Sequence, residues 1–310
     1  MSAPTVRDVH IDVALTNVSV KYKNAKFIGE RLFTVLPVRK DSDVYFIYGK
    51  QDFRIQDDTR APGGRGKKVE WTISKSDAYR VKEHSNEMQL IDEIRDNADD
   101  PIRYDADSTE YITNIGLLNL EYTLSAIAQD VTNYGASNQK ALTGTDKWSD
   151  NSSDPLGQVQ DAIKQIENSI FLSPNIMIIS NDVFKKIKNH PQIREQIKYT
   201  HLGVTTPQLL AQFFEVDEVV IGLSGYVSDK EGQSTETLTQ LWSNCVILAY
   251  VNPRATVKTI SYAFLFRKEG YRNVEKWREP ETRSDWIRVN DKYDKAIVAN
   301  TAGYIFTTVV

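Results

Sequence analysis

The chain has 310 residues, with 38 lysines and arginines against 42 aspartates and glutamates, a formal net charge of −4. That length is near the upper limit of what one hydrophobic core serves, so one large domain or two closely joined ones are expected. The acidic balance argues against a chain whose main business is nucleic acid, which normally carries a basic excess. The 40% apolar content is low enough to suggest segments not wrapped around a core of their own.

Cys245 is the sole cysteine, so neither an intramolecular disulfide nor a cysteine-rich zinc site can form. The N-terminal MSAPTVRDVHIDVALT lacks the apolar core of a signal peptide. No run reaches the eighteen or more apolar residues of a membrane span. A soluble intracellular chain with no membrane partner is expected, and no cofactor or metal is called for.

Residues 1–43 show no sustained helical period. Apolar clusters at Phe27–Ile28 and Leu32–Val38 are interrupted by charges, Gly29 and Pro37. This reads as an extended arm with one short helical piece, needing a partner surface to hold it. Residues 44–84 turn to a two-residue period: VYFIYGKQDFRIQ is rich in strand formers, and Val69, Trp71 and Ile73 alternate with polar residues. Between these runs lies TRAPGGRGKKVEW. The segment predicts a long two-stranded hairpin with a loose basic tip, which must lie on something else because an isolated hairpin is marginal in water.

An acidic run, DEIRDNADDP, leads into a helical pattern from about 102 to 134. Tyr111, Ile115, Leu118 and Tyr122 form one stripe; Leu117, Leu120, Leu124, Ile127, Val131 and Tyr134 form a second. Two stripes predict a girder packed on more than one side, with Gly135 as its stop. Residues 136–155 are polar and linker-like. From there to about 252 helix and strand alternate (LGQVQDAIKQIENSI, PNIMIIS, NDVFKKIKNH, PQLLAQFF, EVDEVVIG), the pattern of a small α/β domain. The tail from 253 to 310 returns to strands: Ile260, Tyr262, Phe264 and Phe266 alternate with smaller or polar residues, and the tail is expected to complete the layer containing the long helix.

Chemistry is hard to find. The glycine-rich tip is not a phosphate loop, because Ala61 stands where the first glycine belongs, Lys68 follows where a hydroxyl is needed, and no helix opens there. GLSGY at 222–226 resembles a nucleophile elbow but ends in Tyr226, so a turn explains Ser224 better than catalysis. His10, His84, His190 and His201 lack ligand spacing, and His190, just before Pro191, is expected at the surface. Asp105, Asp107 and Glu110 lack the glycine and spacing of a calcium loop. What stands out is charge. Residues 54–68 carry Arg54, Arg60, Arg65, Lys67 and Lys68 against two aspartates, while 92–110 carries Asp92, Glu93, Asp96, Asp99, Asp100, Asp105, Asp107 and Glu110 against two basic residues. Such a pair is suited to docking one copy of the chain onto another, and with a negative chain that is preferred over phosphate binding.

Three blocks in this order carry a resemblance: NVSVKYKNAKFIGERLFTVLPVRKDSDVYFIYGKQDF, IDEIRDNADDPIRYDADSTEYITNIGLLNLEYTLSAIAQD, and PNIMIISNDVFKKIKNHPQIREQIKYTHLGVTTPQLLAQFFEVDEVVIG, with AYVNPRA and AGYIF behind them. The sequence resembles the major capsid proteins of tailed bacteriophages, the Hong Kong 97 fold. The resemblance implies an α+β architecture with an N-terminal arm (1–43), an extended β-hairpin loop (44–84), a peripheral domain (85–140 and 253–310) holding the spine helix on an antiparallel β layer, and an axial α/β domain (141–252). It implies a non-enzymatic shell subunit that forms hexamers and pentamers around packaged double-stranded DNA, assembled in the host cytoplasm and resident in the virion. Expected partners are the chain itself, a separate scaffolding protein, a portal protein, a decoration protein, and DNA touched without specificity on the inner face. An encapsulin-type shell holding cargo enzymes shares the fold, and an α/β hydrolase-like enzyme is the rival class.

Overall fold

The computed structural model describes residues 10–11, 27–47, 55, 59–60, 62–66, 75–97, 103–197, 206–230, 237–256 and 259–310. In chain order its first elements are β1 (His10–Ile11), α1 (Gly29–Leu32), β2 (Phe33–Val38), β3 (Ser42–Ile47), β4 (Lys75–Arg80), β5 (Lys82–Ile91), α2 (Asp92–Asp96) and α3 (Tyr104–Gln129). The middle contributes β6 (Gln139–Ala141), α4 (Pro155–Ile170), β7 (Ile176–Ser180), α5 (Asn181–Ile187), α6 (Pro191–Ile197), α7 (Pro207–Phe213), β8 (Glu218–Gly222), β9 (Gly225–Val227), β10 (Leu238–Gln240) and β11 (Cys245–Ala249). The tail supplies β12 (Ala263–Lys268), β13 (Asn273–Glu279), β14 (Ser284–Ile297) and β15 (Gly303–Thr307).

Two sheets organise the chain. The six-stranded sheet runs β1–β13–β14–β12–β2, with β5 also paired to β14. The 14-residue strand β14 is its axis: Ser284–Tyr293 face β5, while Tyr293–Ile297 face β12. The five-stranded sheet runs β6–β15–β11–β7–β8. Every residue of β7 and β11 is buried, which is why PNIMIIS and the run around Cys245 read as apolar blocks without alternation.

Helix α3, 26 residues and roughly 39 Å long, lies on the six-stranded sheet. Ile112 packs there with Leu90, Val274, Ile287 and Val289, while Leu120, Leu124 and Ala128 enter the main core. Burial follows neither stripe in full: Leu118 of the first packs on the main core while Val131 of the second is 36% exposed. Tyr111 and Tyr122 of the first are 61% and 49% exposed, so the tyrosine end of that stripe is not covered within one chain. The helix also stops short of 134. Asp130 leaves helical geometry, and its carboxylate accepts from the Thr132 amide (2.9 Å) and hydroxyl (2.7 Å). This local competitor to the helix is a usual aspartate role. Tyr134 then folds back, its hydroxyl donating to the Ala128 carbonyl at 2.7 Å.

Three further expectations are corrected. The arm has partners within the chain: β2 pairs in parallel with β12, β1 pairs with β13, and Ile28, Leu32, Phe33, Leu36 and Val38 are buried. The tail does not belong wholly to the layer of the long helix, because β15 joins the five-stranded sheet beside β11. And β12 is buried on both faces rather than alternating. Ala263 and Leu265 enter the main core, while Phe264 and Phe266 enter a second cluster under the hairpin.

That second cluster holds the hairpin base. Tyr79 stacks on Phe266 with ring centroids 4.5 Å apart, and Tyr45 lies 5.4 Å from the same ring. The Arg80 amide donates to Asp294 at 2.7 Å, and Asp41 pairs with Lys292 at 3.0 Å and with Lys268. The alternating residues Val69, Trp71 and Ile73 lie outside the described residues.

Candidate inter-subunit contact surfaces

Arg60 and Arg65 are exposed at the tip, and nearby Ile55 is 97% exposed. Gly63 has φ +80, a left-handed conformation that glycine adopts without strain. Arg54, Lys67 and Lys68 lie outside the described residues, as do Asp99 and Asp100.

The acidic segment divides into two populations. Asp92 accepts two hydrogen bonds from the Arg278 guanidinium, at 2.6 and 2.5 Å. Arg95 reaches Asp285 at 2.7 Å and Asp105 at 3.4 Å; Lys276 reaches Asp105 at 2.8 Å and Asp285 at 3.5 Å. Arg278 closes the ring on Asp285 at 3.3 Å. Asp92, Asp105 and Asp285 thus balance Arg95, Lys276 and Arg278. The Arg278 hydrogen bonds hold the Asp92 carboxyl below its usual range. For Asp285 burial opposes ionisation, and hydrogen bonds from Arg95 and Arg278 outweigh it, leaving that carboxyl low as well. This network pins α2 and the start of α3 to the sheet.

Asp92 and Asp105 therefore have partners inside the chain that the sequence reading assigned to a neighbour. The physical reason is that β13 and β14 bring Lys276, Arg278 and Asp285 alongside, nearly two hundred residues downstream. Nothing in the local sequence signals this; two basic residues alternating in NVEKWRE, on one face of a strand, are the available hint. The other described acids differ. Glu93, Asp96, Asp107 and Glu110 are exposed, and none forms an ion pair among the described residues. Asp107 accepts from the Arg103 amide, at 3.2 Å.

The residues weighed for catalysis are each engaged by their own surroundings. His190 is 3% exposed, not at the surface, because its ring caps the start of α6: Nδ1 accepts from the Gln192 amide at 3.3 Å. Its Nε2 then faces the Asp150 carbonyl at 3.1 Å and the Ser153 hydroxyl at 3.2 Å. Ser224 is buried between β8 and β9, its carbonyl accepting from the Leu241 amide at 2.9 Å. No hydrogen bond links the two. Among the described residues no group of three histidine, cysteine, aspartate or glutamate side chains is placed to hold a metal ion, and no helix is long and apolar enough to cross a membrane.

Comparison with known proteins places this architecture. The chain is 29% identical over 302 residues to the major capsid protein of Burkholderia phage BcepMu, covering 96% of each. It superimposes on the crystal structure of a phage-related protein from Bordetella bronchiseptica RB50 with a TM-score of 0.80 and 26% identity, over 96% of this chain and 97% of that one. The capsid structure of the cyanophage P-SCSP1u shares the fold at a TM-score of 0.57 and 9% identity, over 89% and 86% of the two chains. The model of the family described as phage major capsid protein E matches residues 73–259, more than half the chain. A spine helix on a mainly antiparallel layer, a sheet-mounted hairpin and a second, buried mixed sheet are the parts of a Hong Kong 97-type shell subunit, and the chain belongs to the phage major capsid protein E family.

Proposed function

We propose that the chain assembles into hexamers and pentamers that close an icosahedral shell around packaged double-stranded DNA. Its hairpin tip, in this reading, docks on the acidic surface of an adjacent subunit. The reading treats 44–84 as the inter-subunit loop, 141–252 together with β15 as the axial unit, and the layer of α3 with β12–β14 as the peripheral unit. The observation that carries it is the split in the charges. Arg60 and Arg65 stand exposed on one extension, and Glu93, Asp96, Asp107 and Glu110 stand exposed beside the spine helix without an ion pair among the described residues. Complementary patches of this kind fix register and speed association, and repeated over many subunits they make individually weak contacts jointly stable.

The docking acids are now Glu93, Asp96, Asp107 and Glu110, with Asp92 and Asp105 reserved for the internal network. Reversing Arg60 and Arg65 to glutamate is expected to abolish shells seen by electron microscopy while leaving the circular dichroism of the subunit unchanged. Combining that variant with Glu110→Arg and Asp107→Arg is expected to restore some assembly. Normal shells from the first variant would remove the docking contact; a wild-type chain that stays monomeric with scaffold and at all salts would remove the shell function itself. Scaffolding, portal and decoration proteins, and assembly in the host cytoplasm, belong to the same proposal.

A further inference from the structure

Glu121, midway along α3, is 2% exposed. Its Oε1 accepts from the Ile28 amide at 2.9 Å and from the Trp242 indole Nε1 at 2.7 Å; its Oε2 accepts from the Gly29 amide at 2.8 Å. No cation pairs with it among the described residues. The charged side chain acting on it is Glu30, of the same sign, whose own carboxylate is turned to Arg267 at 2.9 Å. Burial pushes the Glu121 carboxyl up, its three donors pull it partly back and Glu30 adds a smaller push upward, so the carboxyl is held above its ordinary range.

All three contacts are donors, which suits an ionised carboxylate, since that group only accepts. Two of them are amides at the start of α1, whose own N-cap residue, Ile28, offers no side-chain cap. Glu121 thus caps that turn from another helix. The approach is close: a Cβ on Gly29 would lie 2.7 Å from Glu121 Oε2 and 2.9 Å from Leu124. Glycine is therefore required here for space.

The place is a junction. From α1, Glu30 reaches Arg267 on β12 of the six-stranded sheet, and Arg31 reaches Glu218 on β8 of the five-stranded sheet at 3.8 Å. Trp242, fully buried, lies between β10 and β11. Arm, spine helix and five-stranded sheet meet at one carboxylate. A buried charge without a cation is an unfavourable way to hold a static turn, since apolar packing of the same volume is often neutral or better. What it adds is directional coupling between the groups that share it.

We infer that Glu121 is a conformational latch: it fixes the turn of α1 at the head of β2, and it couples that turn of the arm to the seating of Trp242. Loosening either side loosens the other, because such coupling is reciprocal. Glu121→Gln keeps the shape but replaces one acceptor with a donor. Trp242→Phe removes the indole N–H, together with part of the ring volume, and leaves a smaller aromatic ring in place.

Hydrogen exchange on the full-length chain tests this. In Glu121→Gln the amides of Ile28 and Gly29 are expected to exchange at least tenfold faster, and the Trp242 indole proton to lose protection, while β7 and β11 are unchanged. In Trp242→Phe the same arm amides, which bond to Glu121 and not to that side chain, are expected to exchange severalfold faster. Unchanged arm amides in Glu121→Gln would overturn the latch. Unchanged arm amides in Trp242→Phe would overturn the coupling. Equal acceleration across β7 and β11 would reduce Glu121 to a general stability role and overturn both.

Discussion

Phe266 is the residue on which the extended hairpin stands, and truncating it isolates that support. Its side chain is fully buried, with Tyr79 at 4.5 Å, Tyr45 at 5.4 Å and Phe264 at 5.9 Å between ring centroids. Phe266→Ala empties a ring-sized volume that three large, anchored rings cannot collapse to fill, so the loss falls at about 3–5 kcal/mol. The aromatic contacts, about 0.5–1.5 kcal/mol each, are contained within that figure. At one decade per ~1.4 kcal/mol, exchange of β3 and β4 amides is expected to accelerate by roughly two to three and a half orders of magnitude. The five-stranded sheet does not touch this cluster and is expected to change by less than about tenfold. Hydrogen exchange read by mass spectrometry separates the segments. Acceleration of less than about tenfold at β3 and β4, or equal acceleration in β7 and β11, would refute the claim that this cluster carries the hairpin.

Two more outcomes follow from the same geometry. Because Asp92 and Asp285 are held below their ordinary range in the folded chain, the stability they contribute is present above about pH 4 and is lost as pH falls through their folded values. Exchange at α2 is therefore expected to rise below pH 4, and Asp92→Asn with Asp285→Asn is expected to flatten that dependence; an unaltered acid profile in the double variant would contradict it. Burial pushes the Cys245 thiol up to about 12, so a thiol reagent at pH 8 is expected to label it only after denaturant unfolds the chain. Stoichiometric labelling of the native protein would show that strand β11 opens.

Much of the fold is legible in local pattern. The spine helix announces itself through Leu117, Leu120 and Leu124, and the buried strands through their unbroken apolar runs. The errors share a cause, which is partnership over long sequence distance. That Tyr111 and Tyr122 stay exposed while Leu120 and Leu124 are buried depends on which sheet lies beneath α3. His190 looks like a surface residue beside Pro191 until Asp150 and Ser153 are folded over it. Asp92 and Asp105 look free until β13 brings in Arg278 and Lys276. Glu121, a charged residue on a long helix, is indistinguishable in sequence from its solvent-facing neighbours; only Gly29 and the short α1 turn, brought to it from ninety residues away, single it out. The exposed half of the candidate surface was legible because charge counts need no tertiary partner.

The position of β15 has a consequence for how the chain is made. It sits between β6 and β11 in the five-stranded sheet, pairing residues 305–307 with 139–141 and residues 303–307 with 245–249. Until it arrives, β11 presents an open edge of Cys245–Ala249, every residue of which is apolar and buried in the finished fold. Such an edge is a template for pairing with other chains, and loop closure across some 160 residues is slow. The five-stranded sheet is therefore not separable from the tail: a fragment cut at residue 252 would lack β15, leaving β6 without its partner and the β11 edge open, and is expected to aggregate. The nascent chain must wait, with that edge uncovered, for a strand made more than fifty residues later. Expression of this subunit should accordingly depend on chaperones far more than on the rate at which the sheet of β12 to β14 forms.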